Sequence, residues 1–291
     1  MIEAPGPDPQ DWPEAGEWLP RARRLGSLRW SDLGPLEVPA PEPVDELAAW
    51  LADAADRWWD DAGRPDPFTL VVASADDGTL AARVLGLGPA CLTSLRYVLV
   101  RPLPVPAAMA ARLALEEPAF LFPVSVAEDP GEEAPPAAGA GPLVTCLPDI
   151  PAVPGEGAVV ALRTVSRLPS ERVELREGTW WDLRLAAVGD RLVEVPSPLG
   201  DTPAVPGRPG PGRYAVLSGA LEWLRRTLST EMRGRVAVID DWTTATEALR
   251  PGLVPPLALD QLARLRRPES PGPAPVAGGL SVVSWRVNPV G

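Results

Sequence analysis

The sequence predicts an α/β protein built on a parallel, doubly wound sheet with helices on both faces, and three observations carry that prediction. Short continuous apolar runs, FTLVVA, RYVLVR, GAVVALR and RVAVID, read as strands buried on both faces, because a strand covered on one side only would alternate. Between them lie stretches whose apolar residues recur at three- and four-residue spacing, and such an order of strands and helices makes a parallel sheet. The 291 residues, 45% hydrophobic and 23% charged, suffice to bury one large core of this kind.

Taken in order, residues 1–42 are rich in Pro, Trp and acid without a sustained period, and are expected to lie as an arm anchored by Trp12, Trp18 and Trp30. Residues 43–291 form the α/β domain. It opens with an amphipathic helix over 43–63, on which Val44, Leu47, Leu51, Ala55 and Trp58 share a face, with Pro43 in the first turn and Gly63 as C-cap. A strand over 68–73, a polar turn over 74–78 and a helix over 79–87 make one strand-turn-helix unit. The strand RYVLVR and the helical VPAAMAARLALEE make a second.

Residues 125–142 read as a flexible acidic loop, and GAVVALR as the next strand. ERVELRE, TWWDLRLAAV and RLVEVP alternate with a period of two, which predicts a small antiparallel meander over 171–196, followed by a Pro-rich loop over 196–213. In YAVLSGALEWLRRTL, Val216, Leu217, Ala220, Leu221, Leu224 and Leu228 fit one helical face. RVAVID is a further core strand, LALDQLARLRR a short helix and LSVVSWRV a closing strand.

Composition removes whole classes of function. A net charge of -12 repels phosphate backbones and anionic lipid headgroups, so no nucleic-acid partner is expected. No apolar run approaches the roughly 18 residues that span a bilayer, and no leader pattern opens the chain, so the expectation is a cytoplasmic protein without membrane insertion. The two cysteines, Cys91 and Cys146, are isolated and read as buried thiols of a reducing compartment. The chain has no His and no Lys, which excludes Ser-His-Asp and Cys-His systems, His-based metal sites, Schiff-base lysines and a Walker lysine. Missing Lys and a single Asn, Asn288, point to compositional drift, an account that does not cover the missing His. Asp76 and Asp77 read as solvated acids that suit a helix N-terminus, and no metal is expected.

Several segments align, in order, with one known pattern: DPFTLVVASADDGTLAARVL, LRYVLVRP, GPLVTCLPDIPA, VVALRTVSRLP, the WWDLRL and RLVEVP strands, and GRVAVIDD. Their order and spacing resemble the MidA family of class I methyltransferases, which includes the arginine methyltransferase that assists mitochondrial complex I assembly. The resemblance runs from about residue 63 to 240, with a weaker trace to Leu262. It implies a Rossmann-like class I methyltransferase sheet and, for an active member, S-adenosylmethionine as cofactor. TLVVASADDGTLAARVLGL also resembles the opening hairpin of flavin split-barrel oxidases, against which the helix-rich order that follows and the absence of Lys argue.

Measured against the family pattern, the positions that touch the cofactor have changed. An acid-x-Gly-x-Gly-x-Gly loop is replaced at Val72, Ser74 and Asp76, with Gly78 alone retained, although glycines there let the backbone approach a ligand. Asp76 and Asp77 would set negative charge against the carboxylate of the cofactor's methionine moiety, a repulsion of about 1 to 4 kcal/mol. Arg101 stands where a carboxylate accepts from the ribose hydroxyls, and arginine has no acceptor. The segment Leu162, Arg163, Thr164, Val165, Ser166 has lost the family's Asn and both acids, while Leu168 and Pro169 remain. Gly78 reads first as a turn residue before a helix and second as the last cofactor glycine.

The expected cofactor-binding positions are therefore the degenerate set Ser74, Asp76, Gly78 and Arg101. Asp240, at a strand end, is the best single candidate for a catalytic residue. The chain is expected to be a degenerate methyltransferase-like protein, a pseudoenzyme that binds or assembles with a protein partner. The alternative is a divergent, active S-adenosylmethionine-dependent enzyme acting on a protein arginine. The pairs Trp58-Trp59 and Trp180-Trp181 point toward a contact surface, since neighbours on a strand face opposite ways.

Overall fold

In the computed structural model the apolar runs fold as adjacent strands of one sheet. The structure describes residues 15–33, 43–74, 77–100, 106–115, 142–148, 150, 155–201, 203, 211–228, 232–240, 242–243, 257–258, 262, 268–269 and 272–287. The chain divides into two compact units. The first comprises Pro41–Thr164, Arg226–Ile239 and Pro268–Gly291, and the second comprises Met1–Ala40, Val165–Arg225 and Asp240–Arg267.

The first unit holds the seven-stranded sheet. Its strands are β1 (Phe68–Ala73), β2 (Leu95–Val100), β3 (Leu143–Leu147), β4 (Gly155–Leu162), β9 (Met232–Asp240, whose last residue is grouped with the second unit), β12 (Ala274–Ala277) and β13 (Leu280–Val287). The order across the sheet is β12-β13-β9-β4-β1-β2-β3. The pairs β1/β2, β1/β4, β2/β3 and β4/β9 are parallel, and β12/β13 is antiparallel. Continuous apolar character follows from this placement: every residue of β1 is buried, as a strand with neighbours on both edges and layers on both faces requires.

One face of the sheet packs on three helices, α2 (Val44–Asp61), α3 (Thr79–Gly86) and α4 (Ala107–Leu113). Leu47, Leu51, Ala55 and Trp58 of α2 are buried against Phe68, Leu70, Val72, Leu95, Tyr97 and Leu99, which confirms the helical face read from the spacing. The helix begins after Pro43 and ends at Ala62, with Gly63 at φ +83 just beyond, the left-handed conformation that glycine adopts without strain. Residues 79–86 are helical, which excludes the split-barrel hairpin. The edge strands β3 and β12 add to the strands that the sequence predicts. β12 contains Pro275, a residue that suits only an edge.

The second unit carries a four-stranded antiparallel sheet of order β7-β6-β5-β8, made of β5 (Glu171–Arg176), β6 (Thr179–Val188), β7 (Arg191–Pro198) and β8 (Gly212–Val216). The meander is larger than its alternating pattern predicts. Tyr214 and Val216, expected on a helix, belong to β8, and α5 starts only at Ser218 and runs to Leu228. Val216 fits helical spacing by coincidence. Pairing to β5 and the edge-to-face stacking of Tyr214 on Trp180, 5.6 Å between ring centres, decide for the strand. Leu257 and Ala258, expected at the start of a short helix, instead form β11, which pairs in parallel with β10 (Trp242–Thr243). Leu262 is helical and buried, and the rest of LDQLARLRR lies outside the described residues.

The N-terminal segment is more regular than expected. Ala15–Leu25 forms α1, and Trp30–Leu33 a 3-10 turn. Pro20 and the dense tryptophans mask the helical period in the sequence. Trp18, Leu19 and Ala22 pack with Leu28, Trp30, Leu185 and Leu192 in a small core on the sheet. β5 pairs with residues 179–182 of β6 and then stops, and Leu28 takes over that edge by exchanging two 2.8 Å backbone hydrogen bonds with Leu185. Trp12 and the acidic loop over 125–142 lie outside the described residues.

Of the tryptophan pairs, Trp58 is buried, while Trp59, Trp180 and Trp181 are half-buried. Cys91 is a buried free thiol and Cys146 a half-buried one. No helix among the described residues is long and apolar enough to cross a membrane, and no group of three metal-ligating side chains occurs among them.

Candidate functional site

In open α/β sheets, ligands bind beyond the carboxyl ends of the strands, where the strand order reverses. Here the reversal lies between β1 and β4, whose last paired residues are Ala73 and Ala161. Two short links cross the strand ends. The Thr164 hydroxyl donates to the carbonyl of Ala73 at 3.4 Å, and the N–H of Arg163, a residue at φ +48, donates to the carbonyl of Ile239 at 2.9 Å. The Ala73 carbonyl at the switch point, and the Ile239 carbonyl on the adjoining β9, are thus engaged by the chain itself.

The loop after β1 is held by its own side chains and by α4. Val72, where the family pattern has an acid, is fully buried, and Ser74 is buried at the end of the strand. Asp77 accepts hydrogen bonds from the hydroxyl and the backbone N–H of Thr79, the latter at 3.1 Å. Arg112 of α4 donates to the Thr79 hydroxyl at 2.8 Å and stands 3.6 Å from the Asp77 carboxylate. The Thr79 hydroxyl, helped by the Thr79 N–H and by Arg112, holds the Asp77 carboxyl below the usual carboxylate range. Its charge therefore caps the start of α3 and faces a guanidinium.

Gly78 closes the loop at φ +87. A Cβ at this position would lie 3.0 Å from both Leu113 Cδ1 and Met109 Cγ, so α4 approaches the glycine as closely as a hydrogen allows. The one glycine that matches the resembled pattern is accounted for by a left-handed turn and by helix packing.

Leu168 and Pro169 have a comparable role in the second unit. The Pro169 carbonyl accepts from the N–H of Gly219 at 2.8 Å and from the Ser218 hydroxyl at 3.2 Å, fixing the start of α5. A Cβ on Gly219 would meet Leu168 and Pro169 at 2.8 Å. Asp240, the last residue of β9, is buried and accepts a 3.3 Å hydrogen bond from the backbone N–H of Ser166. Ser74 and Gly78 thus flank one loop, whereas Asp240 is fixed on Ser166. Asp76, Arg101 and Asp241 lie outside the described residues.

Sequence reasoning did not single out Met109, Leu113 or Arg112. Their helix was legible, but which loop it would meet depends on the strand order. Thr164 was equally silent, because a hydroxyl that bridges two strand ends has no sequence signature.

No family model and no curated protein matches the chain. Solved structures do. One is an uncharacterized COG1565 superfamily protein from Burkholderia thailandensis, 19% identical, with a TM-score of 0.54 over 81% of this chain and 63% of that one. Another, from the same organism, is a COG1565 superfamily member and candidate methyl transferase bound to S-adenosyl-homocysteine, 18% identical, with a TM-score of 0.51 over 81% of this chain and 64% of that one. The chain spans less than two thirds of the length of either. At these identities the likeness shows the fold, which is that of the methyltransferases: a seven-stranded, mostly parallel sheet with helices, accompanied by a separate antiparallel sheet.

Proposed function

We propose that this chain is a methyltransferase-fold protein of MidA-like ancestry that has given up S-adenosylmethionine and acts as a cytoplasmic, non-catalytic binding or assembly partner of another protein. The observation that carries this reading is the packing of Gly78 on Met109 and Leu113, beside an Asp77 committed to Thr79 and Arg112. What survives of the cofactor loop is what the fold needs. Val72 offers no carboxylate, the loop keeps a single glycine, and Arg101 in the sequence replaces a ribose acceptor with a donor. The residues present fit the cofactor poorly, and losses at separated positions that share one ligand are better explained by loss of that ligand than by independent drift.

A second reading, a divergent S-adenosylmethionine-dependent methyltransferase acting on a protein arginine, draws on the structural neighbour that holds S-adenosyl-homocysteine and on the buried carboxylate of Asp240. In that reading Gly78, Asp240 and Asp76 are the candidate residues, and catalysis is mainly the positioning of donor and acceptor. Titration calorimetry with S-adenosylmethionine separates the two. Micromolar binding overturns the non-catalytic reading, and absence of heat at millimolar ligand overturns the enzymatic one.

A further inference from the structure

The second residue of β2 is an arginine inside the sheet. Arg96 is 4% exposed, its Nη1 is buried without a hydrogen-bond partner, and no carboxylate pairs with it among the described residues. Its neighbours Leu95 and Tyr97 belong to the core under α2, α3 and α4, so by strand alternation Arg96 projects from the opposite face. The register places it in a row with Thr69, Gly157 and Gly234, running across β2, β1, β4 and β9. Thr69 is buried beside it, and at the two glycines the adjacent strand backbone comes so close that a Cβ would meet a carbonyl oxygen, of Thr69 at Gly157 and of Gly157 at Gly234. The next residues along the same face, Val71, Val98, Val159 and Val236, are fully buried and apolar.

Burying a guanidinium nitrogen without an acceptor is unfavourable. An apolar residue of similar length would serve the packing without that penalty. The arginine fork matches an oxyanion through two parallel N–H···O bonds, and a neighbouring hydroxyl adds a third donor. The row lies toward the amino ends of the strands, about 13 Å along β2 from its carboxyl end. It is therefore separate from the loop over 74–78.

We propose that Arg96, assisted by Thr69, forms a binding site for an oxyanion, a phosphate or a carboxylate, on the face of the seven-stranded sheet opposite α2, α3 and α4. The test is thermal unfolding of the full chain titrated with inorganic phosphate and, separately, with acetate, chloride holding the ionic strength constant. The expected result is a saturable rise in melting temperature with one of the two, since a ligand that binds only the folded state stabilises it by mass action. Phosphate alone identifies a phosphoryl-bearing ligand, and acetate alone a carboxylate. Arg96→Met abolishes the rise, and Arg96→Lys, which keeps the charge but loses the fork, weakens binding about tenfold. Should Arg96→Met fail to fold, Thr69→Val serves, with an affinity lowered several-fold at an unchanged fold. The proposal is overturned if neither anion shifts the natural chain, if the rise persists in Arg96→Met, or if Thr69→Val binds as the natural chain does. None of these outcomes depends on S-adenosylmethionine.

Discussion

Gly78 and Met109 are packed so closely that a Cβ on the glycine would lie 3.0 Å from Met109 Cγ. Gly78→Ala therefore meets both a crowded neighbour and a left-handed backbone, and it is expected to destabilise the chain by about 1–3 kcal/mol in urea unfolding. Trimming the neighbour relieves the crowding alone. Met109→Ala combined with Gly78→Ala should thus show a favourable coupling of about 1 kcal/mol relative to the sum of the single changes. Strict additivity would mean that the contact is not what retains the glycine.

The Arg172 guanidinium sits 3.6 Å from the ring centre of Trp30 and pairs with Glu194, which Arg213 also reaches at 2.9 Å. The side chains of Arg172 and Glu194 are both almost fully buried, so Arg172→Ala removes a cation from the tryptophan face and leaves Glu194 with Arg213 among the described residues. The expected cost is about 2–4 kcal/mol, below that of an unshared buried pair because Arg213 remains. Release of the N-terminal segment should accompany it, read as faster tryptic cleavage at Arg23 and Arg24. Unchanged cleavage would show that Trp30 does not depend on this contact.

Burial, and then the nearby Asp56 carboxylate, push the Cys91 thiol up to about 12. Thiolate is the reactive form, so iodoacetamide near neutral pH should spare Cys91 in the folded chain and modify it only in denaturant. Peptide mass spectrometry reads the outcome, with the half-buried Cys146 as the internal comparison.

Asp77 has a folded-state pKa below its unfolded value, and the sign follows directly. Its contribution is present above the unfolded value and is lost as pH falls through the lower, folded one. With the side chain 71% exposed, solvent screening keeps the effect below about 1 kcal/mol. Asp77→Asn should lower stability slightly at neutral pH and reduce the loss on acidification, as measured by urea midpoints across the carboxylate range.

The doubly wound sheet was legible because FTLVVA and RVAVID are buried on both faces, which writes burial into consecutive residues. Elements fixed by longer-range pairing were less visible. Tyr214 and Val216 satisfy either period, and only their register with Val173 and Glu171 selects the strand. α1 is interrupted in composition by Pro20, yet it is held by Leu28, Trp30 and Leu185. At the candidate site, the residue types at Val72 and Ser74 were readable directly, and so was their departure from the resembled pattern. That Asp77 faces Arg112, and that Gly78 faces Met109, was not, because α4 reaches the loop only through the fold. Arg96 was in plain view inside RYVLVR, but its lack of an ion-pair partner among the described residues depends on what the strands across the sheet place in its row.

Calorimetric titration of the full chain with S-adenosyl-homocysteine tests most directly the proposal that the loop after β1 does not bind this ligand. A parallel titration of the variant carrying Ser74→Gly, Asp76→Gly and Arg101→Asp provides the positive comparison, with measurable heat expected where the glycines and the ribose acceptor of the resembled pattern are introduced. The natural chain is predicted to give no saturable heat at millimolar ligand. A micromolar dissociation constant for the natural chain would contradict the account.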